Sequence, residues 1–270
     1  MSEQAKQKSS DEIRSKVRER YAKIAQNPNM QSGCACCSGS SSCCSTSPET
    51  LISKELGYSS EELSVTPEGS NMGLGCGNPQ ESAELQAGEV VLDLGSGGGF
   101  DCFLAAQVVG ENGHVIGVDM TPEMVSKSRV MAEEEGYSNV EFRLGEIEHL
   151  PVADASIDVV ISNCVINLSP EKEQVFSEIY RVLRKNGRVA IADVIALQEL
   201  PQEIKNNLDA YSGCVAGAIT VQEVEEILKR VGFKSFKITI KEESQEYIKD
   251  WFPESGVEKF VRSAYVEAVK

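Results

Sequence analysis

The chain has 270 residues, with 26 basic and 42 acidic side chains and a net charge of -16. This length suits one large domain, or one domain with an extension, and is sufficient for a full hydrophobic core. The acidic charge argues against nucleic-acid or anionic-membrane binding, since both need a positive field. Without about 20 consecutive apolar residues for a membrane span or a signal-type apolar segment near the start, we expect a cytoplasmic protein with no membrane partner.

The first 80 residues are predicted to form an N-terminal helical and cysteine-rich extension. Residues 10–26 place apolar side chains at helical spacing, and a second short helix is predicted at 49–57. Between them, residues 32–48 are rich in serine, glycine and cysteine, a composition that cannot build a core. In a reducing compartment these cysteines indicate ligation or catalysis rather than structural disulfides. They are Cys34, Cys36, Cys37, Cys43 and Cys44.

From residue 89 onward, predicted strands and helices alternate, which is typical of a parallel sheet with helices on both faces. The pattern predicts a domain over residues 81–270, with a lid insertion at about 196–219. The predicted helices cover 100–109, 122–135, 170–184 and 220–231. The predicted strands cover 89–94, 113–119, 140–144, 157–162, 187–195 and 233–240, and 261–269 is expected to be a seventh strand at an edge.

A glycine turn follows the first predicted strand. Its pattern is Asp93-x-Gly95-x-Gly97-x-Gly99. It does not match the dinucleotide fingerprint, because Phe100 stands where G-x-G-x-x-G requires its third glycine. The turn resembles the first motif of class I S-adenosylmethionine (SAM) methyltransferases. That resemblance implies a Rossmann-like, mostly parallel seven-stranded sheet with helices on both faces, and SAM as the methyl donor.

The ends of the later strands carry further residues of that pattern. Ligands of open α/β sheets bind at these carboxyl ends. The resemblance implies that Asp119 binds the ribose, that Met120 packs on the adenine, and that Glu146 and Ile147 lie along the adenine edge. Asn163 reaches the rim after the fourth strand. The full cofactor-binding set is then Asp93, Gly95, Gly97, Gly99, Asp119, Met120, Glu146, Ile147 and Asn163.

Three cysteines from separate segments are candidates for the acceptor site. Cys76 lies in a glycine-flanked loop before the first strand, Cys164 directly follows the fourth strand, and Cys214 lies in the predicted lid. If they converge, their soft thiolates favour a thiophilic centre over magnesium-like or calcium-like ions. The runs Gly-Cys-Gly-Asn-Pro at 75–79, Ser-Asn-Cys-Val-Ile-Asn-Leu at 162–168 and Gly-Cys at 213–214 resemble the arsenite methyltransferase family.

This second resemblance implies a detailed chemistry. Arsenic(III), supplied as arsenite or its thiol conjugates, is bound by Cys76, Cys164 and Cys214 and methylated by SAM, which gives methylated arsenicals for detoxification. A fourth cysteine, for which we select Cys44, joins a disulfide relay that a thioredoxin-type or glutathione reductant resets. We also expect the site to lower the pKa of its cysteines.

Two other functions and one other role for the N-terminal cysteines are compatible with the sequence. The chain could be a class I methyltransferase of a small organic acceptor, with incidental cysteines, or a metalloid-sequestering protein with a degenerate SAM fold. The cysteines at 34–44 could hold a structural zinc ion instead of forming a relay. Cys102, on the helix after the glycine turn, is expected to be a small buried hydrophobic residue.

Overall fold

A seven-stranded sheet forms the centre of the fold. The computed structural model describes residues 9–26, 47–205, 214–251 and 255–270. The strands are β1 (Val90–Leu94), β2 (His114–Asp119), β3 (Val140–Leu144), β4 (Ile157–Asn163), β5 (Leu183–Ala196), β6 (Ser235–Lys241) and β7 (Val261–Val269). Their order is β3-β2-β1-β4-β5-β7-β6. The strands from β1 to β5 pair in parallel, whereas β7 is antiparallel to both its neighbours. The predicted mostly parallel seven-stranded sheet is confirmed.

The predicted edge position of the last strand is wrong. β7 lies between β5 and β6, and nine of its residues pair with β5 from Val261 to Val269. The edge position was predicted from partial alternation of polar and apolar residues. Alternation shows which face of a strand is exposed to solvent, but it does not determine the position of the strand in the sheet. Arg262 is buried because Glu242 and Gln245 accept hydrogen bonds from its guanidinium. A polar residue therefore occupies an interior strand here.

Helices cover both faces of the sheet, as predicted. Alternate residues of β1 belong to different apolar clusters, Val91 to one and Leu92 and Leu94 to the other, because successive strand residues point to opposite faces. No helix among the described residues is long and apolar enough to cross a membrane. The helices are α1 (Ser10–Gln26), α2 (Pro48–Glu55), α3 (Ser60–Ser64), α4 (Pro79–Ala83), α5 (Phe100–Val109), α6 (Pro122–Glu134), α7 (Lys172–Val182), α8 (Gln202–Lys205), α9 (Val221–Val231) and α10 (Gln245–Trp251).

Candidate active site

The glycine turn joins β1 to α5 at the carboxyl edge of the sheet. Gly95, Gly97 and Gly99 have φ values of +69°, +50° and +88°, a region that glycine adopts without steric cost. A Cβ on Gly95 would lie 2.5 Å from a methyl carbon of Val165, so a larger residue cannot fit. A Cβ on Gly97 would meet nothing nearer than 4.0 Å. The backbone at Gly97 is therefore open to close approach by a ligand.

Asp119, at the end of β2, is hydrogen-bonded to the backbone of this turn. Its Oδ2 accepts the backbone N–H of Gly97 at 3.0 Å, and its Oδ1 accepts that of Thr121 at 2.7 Å. Burial raises the pKa of the carboxyl, and these N–H donors act in the opposite direction. The arrangement fixes an acidic group two strands away from the residues that follow β4.

A cavity opens above the turn. Two predicted cofactor residues have other positions: Gly99 is the N-cap residue of α5, and Glu146 pairs with Arg18 Nη2 at 3.1 Å. The wall also includes Cys164, but neither Cys76 nor Cys214 lines it. The other predicted cofactor residues line the wall: Asp93, Gly95, Gly97, Asp119, Met120, Ile147 and Asn163.

Helix α1 packs over this cavity, which the sequence did not indicate in detail. Arg14, Val17 and Tyr21 line the wall. Arg14 Nε donates to the buried carboxylate of Glu148 at 3.2 Å, and its Nη2 forms an ion pair with Glu171. The four-residue spacing of Arg14 and Arg18 on one helix face was the available signal, although nothing local identified their acidic partners.

A buried polar network lies behind the turn. The Tyr58 hydroxyl donates to Asp101 Oδ1 at 2.7 Å, and the Cys102 thiol donates to Asp93 Oδ2 with its sulfur 3.2 Å from that oxygen. Burial and the nearby charge of Asp101 raise the pKa of Asp93 well above its usual range. The prediction that Cys102 is a small buried residue is confirmed, since its side chain is wholly inaccessible to solvent.

Asn163 connects this network to the loop that carries Cys76. Its Oδ1 accepts the backbone N–H of Cys76 at 2.9 Å, and its Nδ2 donates to the Gly77 carbonyl at 2.9 Å. The same Nδ2 lies 3.0 Å from the Tyr58 hydroxyl oxygen and 3.3 Å from Asp101 Oδ2. One amide side chain at the end of β4 therefore fixes the loop that precedes β1.

The three candidate cysteines are brought together. Cys76 and Cys164 form a disulfide with Cα atoms 5.6 Å apart. The Cys214 thiol donates to the Cys164 carbonyl oxygen at 2.7 Å, and all three are buried in one apolar cluster. Cys164 and Cys214 have φ values of +58° and +65°, which are uncommon for residues other than glycine and cluster at functional sites. Cys34, Cys36, Cys37, Cys43 and Cys44 lie outside the described residues.

Asp193 of β5 is an acidic neighbour that sequence reasoning missed. One of its carboxylate oxygens and the sulfurs of Cys76 and Cys164 all lie within 4.8 Å of one another. Burial raises the pKa of Asp193 to about 6. Its oxygens accept four hydrogen bonds, from the backbone N–H groups of Ile166, Asn167 and Val194 and from the side-chain amide of Asn167. An acidic residue within an apolar strand was the available sequence signal.

The expectation of a lowered cysteine pKa is wrong for Cys214. Burial, and then the negative charge of Asp193, raise the pKa of this thiol well above its usual range. Arg20 and Lys172 act in the opposite direction but do not outweigh these two effects. Lys172 is itself perturbed, because burial lowers its pKa to about 8. The apolar surroundings that exclude water thus favour the neutral thiol.

Comparison with known proteins agrees with this geometry. A family model for a methyltransferase domain matches residues 85–232. Arsenite methyltransferase of Halobacterium salinarum is 51% identical over 96% of this chain and 67% of that protein. The chain belongs to the arsenite methyltransferase family. The enzyme of that name from Aquipseudomonas alcaligenes is 40% identical over 80% of this chain, and the chain spans 61% of its length.

A solved structure supports the same assignment. The arsenic(III) S-adenosylmethionine methyltransferase of Chlamydomonas reinhardtii matches with 33% identity and a TM-score of 0.60, over 83% of this chain and 74% of that one. This member of the arsenite methyltransferase family is therefore a class I SAM-dependent methyltransferase. The open backbone at Gly97 and the carboxylate of Asp119 in the same cavity fit a nucleoside-containing ligand such as SAM.

Proposed function

We propose that this chain transfers methyl groups from SAM to arsenic(III) held by the thiolates of Cys76, Cys164 and Cys214, giving methylated arsenicals for detoxification. The observation that supports the proposal is the meeting of three cysteines from three segments beside the cavity of the glycine turn. In this proposal residues 1–80 cap the pocket, residues 81–270 form the methyltransferase domain, and the lid at about 196–219 supplies Cys214.

The residues around the cavity would hold SAM, which supplies an electrophilic methyl group. Asp119 would accept hydrogen bonds from the ribose hydroxyls, Met120 would pack on the adenine, and Ile147 would lie along the adenine edge. Because the glycines of the turn have no side chains, SAM could approach their backbone closely. Helix α1, held by Arg14 over the cavity, would exclude water from the bound ligand.

The three sulfurs would align the acceptor. Three thiolates around pyramidal arsenic(III) leave its lone pair on the open face, from which it can attack the methyl carbon as the sulfonium sulfur departs. This step needs no general base, so the protein contributes mainly alignment and exclusion of water. Alignment of this kind can lower a barrier by about 7 to 11 kcal/mol in favourable cases.

Methylation raises arsenic formally to the pentavalent state, and the cysteines would return it to arsenic(III). Two of the arsenic-bound thiolates would leave as a disulfide: two As–S bonds break, one S–S bond forms, and arsenic gains the two electrons. A thiol of the reductant would then bind the methylated arsenic(III) and release one proton. The ability of Cys76 and Cys164 to pair supports this step. We propose that Cys44 extends the relay and that a thioredoxin-type or glutathione reductant in the cytoplasm resets it.

The test is to incubate the purified protein with labelled SAM, arsenite and a thiol reductant, and to follow methylated arsenicals. We expect Cys164→Ser and Cys214→Ser each to abolish product while SAM affinity stays unchanged. Cys102→Ser is the matched control and should retain turnover, because a serine hydroxyl can still donate to Asp93. Arsenite binding without methyl transfer would indicate a sequestering protein. Methylation of an organic acceptor without arsenic turnover would contradict the proposal.

A further inference from the structure

A buried carboxylate, ionised above its pKa of about 6, lies beside the proposed arsenic site. Asp193 is 6% exposed, and one of its carboxylate oxygens is within 4.8 Å of the sulfurs of Cys76 and Cys164. The carboxylate of Asp193 also acts on Cys214, whose thiol is buried in the same cluster. In this apolar setting the charge is weakly screened and should strongly influence any ion that binds to the sulfurs.

The carboxylate has no role as a ligand in this arrangement. Four N–H groups donate to its two oxygens, at distances of 2.7 to 3.3 Å. A carboxylate has about four lone-pair sites, so these donors account for all of them. Asp193 therefore affects a bound metalloid or metal through its charge.

Arsenite and a divalent cation bring different charges to the same three thiols. As(OH)3 and three thiols give a neutral arsenic trithiolate and three waters: three As–O bonds break, three As–S bonds form, and each thiol proton leaves on a hydroxide. Cd²⁺ and three thiols give a trithiolate complex of charge -1 and release three protons to solvent. Only the second product places a new negative charge beside Asp193.

We propose that Asp193 is a specificity-determining residue that favours arsenite over thiophilic divalent cations such as Cd²⁺ at the site formed by Cys76, Cys164 and Cys214. This inference rests on the proposed function, because it requires these cysteines, when reduced, to bind arsenite. A like charge at this distance in a buried site shifts an ionic equilibrium by about tenfold or more. Arg20 and Lys172 are the positive groups that act on Cys214, and they oppose the effect of Asp193.

The experiment compares dissociation constants for arsenite and for Cd²⁺, without SAM. It uses the full-length protein reduced with a phosphine, and the absorption of metal–thiolate bonds is the readout. In every arm the five N-terminal cysteines are serines, so that they do not bind cadmium. Cys164→Ser is the site control and should lose tight binding of both probes. The five cysteines replaced are Cys34, Cys36, Cys37, Cys43 and Cys44.

Two substitutions of opposite sign test the role of charge. In Asp193→Asn we expect the preference for arsenite over Cd²⁺ to fall about tenfold or more. In Lys172→Met, which removes a positive charge, we expect the preference to rise at pH 7.5, above the Asp193 pKa of about 6 and below the Lys172 pKa of about 8. Asp193→Asn is first checked for folding by circular dichroism and SAM binding, because an amide would oppose the N–H donors around it. If it does not fold, Lys172→Met decides alone.

The outcomes separate this inference from the function on which it depends. If the reduced background protein fails to bind arsenite, the proposed function itself is contradicted. If it binds arsenite through Cys164 but the ratio of the two constants is unchanged or moves in the opposite direction in the folded variants, the role of Asp193 is overturned.

Discussion

At the scale of single residues, Asn163 connects the polar network of Tyr58 and Asp101 to the loop that carries Cys76. Its amide oxygen accepts a hydrogen bond from the Cys76 backbone N–H, and its amide nitrogen donates to the Gly77 carbonyl. The nitrogen also faces Asp101. Position 163 was predicted from its place after β4 as a cofactor residue, a role that stays a prediction. Its connection to the Cys76 loop depends on a partner 87 residues away, which no local pattern encodes.

Replacing the Asn163 amide with a carboxylate should lower the stability of the fold. In Asn163→Asp the donor is lost and a carboxylate faces both Asp101 and the Gly77 carbonyl oxygen. We expect the free energy of unfolding at pH 7 to fall by about 2 to 5 kcal/mol, measured by urea denaturation. Asn139→Asp is the matched control, because its amide donates to two carbonyls, those of Ala106 and Gly110. An equal loss in both variants would contradict the like-charge explanation.

Lys172 should make the free energy of unfolding rise with pH. Burial lowers its pKa to about 8, whereas a lysine in the unfolded chain has a pKa of about 10.4. Between these values the unfolded chain binds more protons than the folded one, so stability contributed by this group rises with pH. We expect the unfolding free energy of wild type, relative to Lys172→Met, to increase from pH 7.5 to 9.5. Identical pH profiles for the two proteins would show that the ammonium is not buried in solution.

At the scale of elements, helix α1 is held across the cavity by charge. Arg14 pairs with Glu148, which follows β3, and with Glu171, which directly precedes α7. The amphipathic pattern of residues 10–26 predicted the helix and its apolar face. It could not predict where that face docks, because the acidic partners are more than 120 residues distant in sequence.

Arg14→Met should therefore weaken SAM binding without unfolding the sheet. The substitution keeps the apolar stem but removes the ion pairs with Glu148 and Glu171, and the longer one with Glu146, so the cap should open more often. We expect the SAM dissociation constant to rise about threefold to tenfold, measured by calorimetry. Lys16→Met on the same helix is the control, because Lys16 pairs with Glu19 of α1 and both are largely exposed. Unchanged SAM affinity in Arg14→Met would mean that the helix does not cap the site.

Sequence predicted the elements better than their arrangement. Apolar runs and glycine turns are local, so the helices that were predicted and the strands up to β6 lie near their predicted bounds. The short helices α3, α4, α8 and α10 were not predicted. The interior place of β7 arises from pairing along its whole length with β5, a non-local property. Asp193 was missed for the same reason, since its four donors come from the loop after β4 and from its own strand. The cysteines were found because a run such as Asn163–Leu168 is unusual as a sequence.

At the scale of the whole molecule, the disulfide between Cys76 and Cys164 links the segment before β1 to the sheet. Cys76 and Cys164 are 88 residues apart, and the backbone of the Cys76 loop is also bound to Asn163. Cross-linking positions this far apart restricts the unfolded chain, which typically stabilises a protein by about 2 to 4 kcal/mol. The oxidised protein should exceed the reduced protein in stability by this amount.

The measurement is urea denaturation of wild type with and without a phosphine reductant, together with hydrogen exchange at residues 70–78. We expect reduction to lower the unfolding midpoint and to speed exchange at this loop while β1 and β4 stay protected. Cys164→Ser should behave like reduced wild type under both conditions, and Cys102→Ser should keep the redox difference. If reduction leaves the free energy of unfolding unchanged, the expected effect of the cross-link on the unfolded chain is contradicted. If exchange at residues 70–78 also stays slow, the folded loop is held by its hydrogen bonds with Asn163, Tyr247 and Tyr265. A site that stays assembled without its disulfide would then be ready to receive arsenic(III) directly.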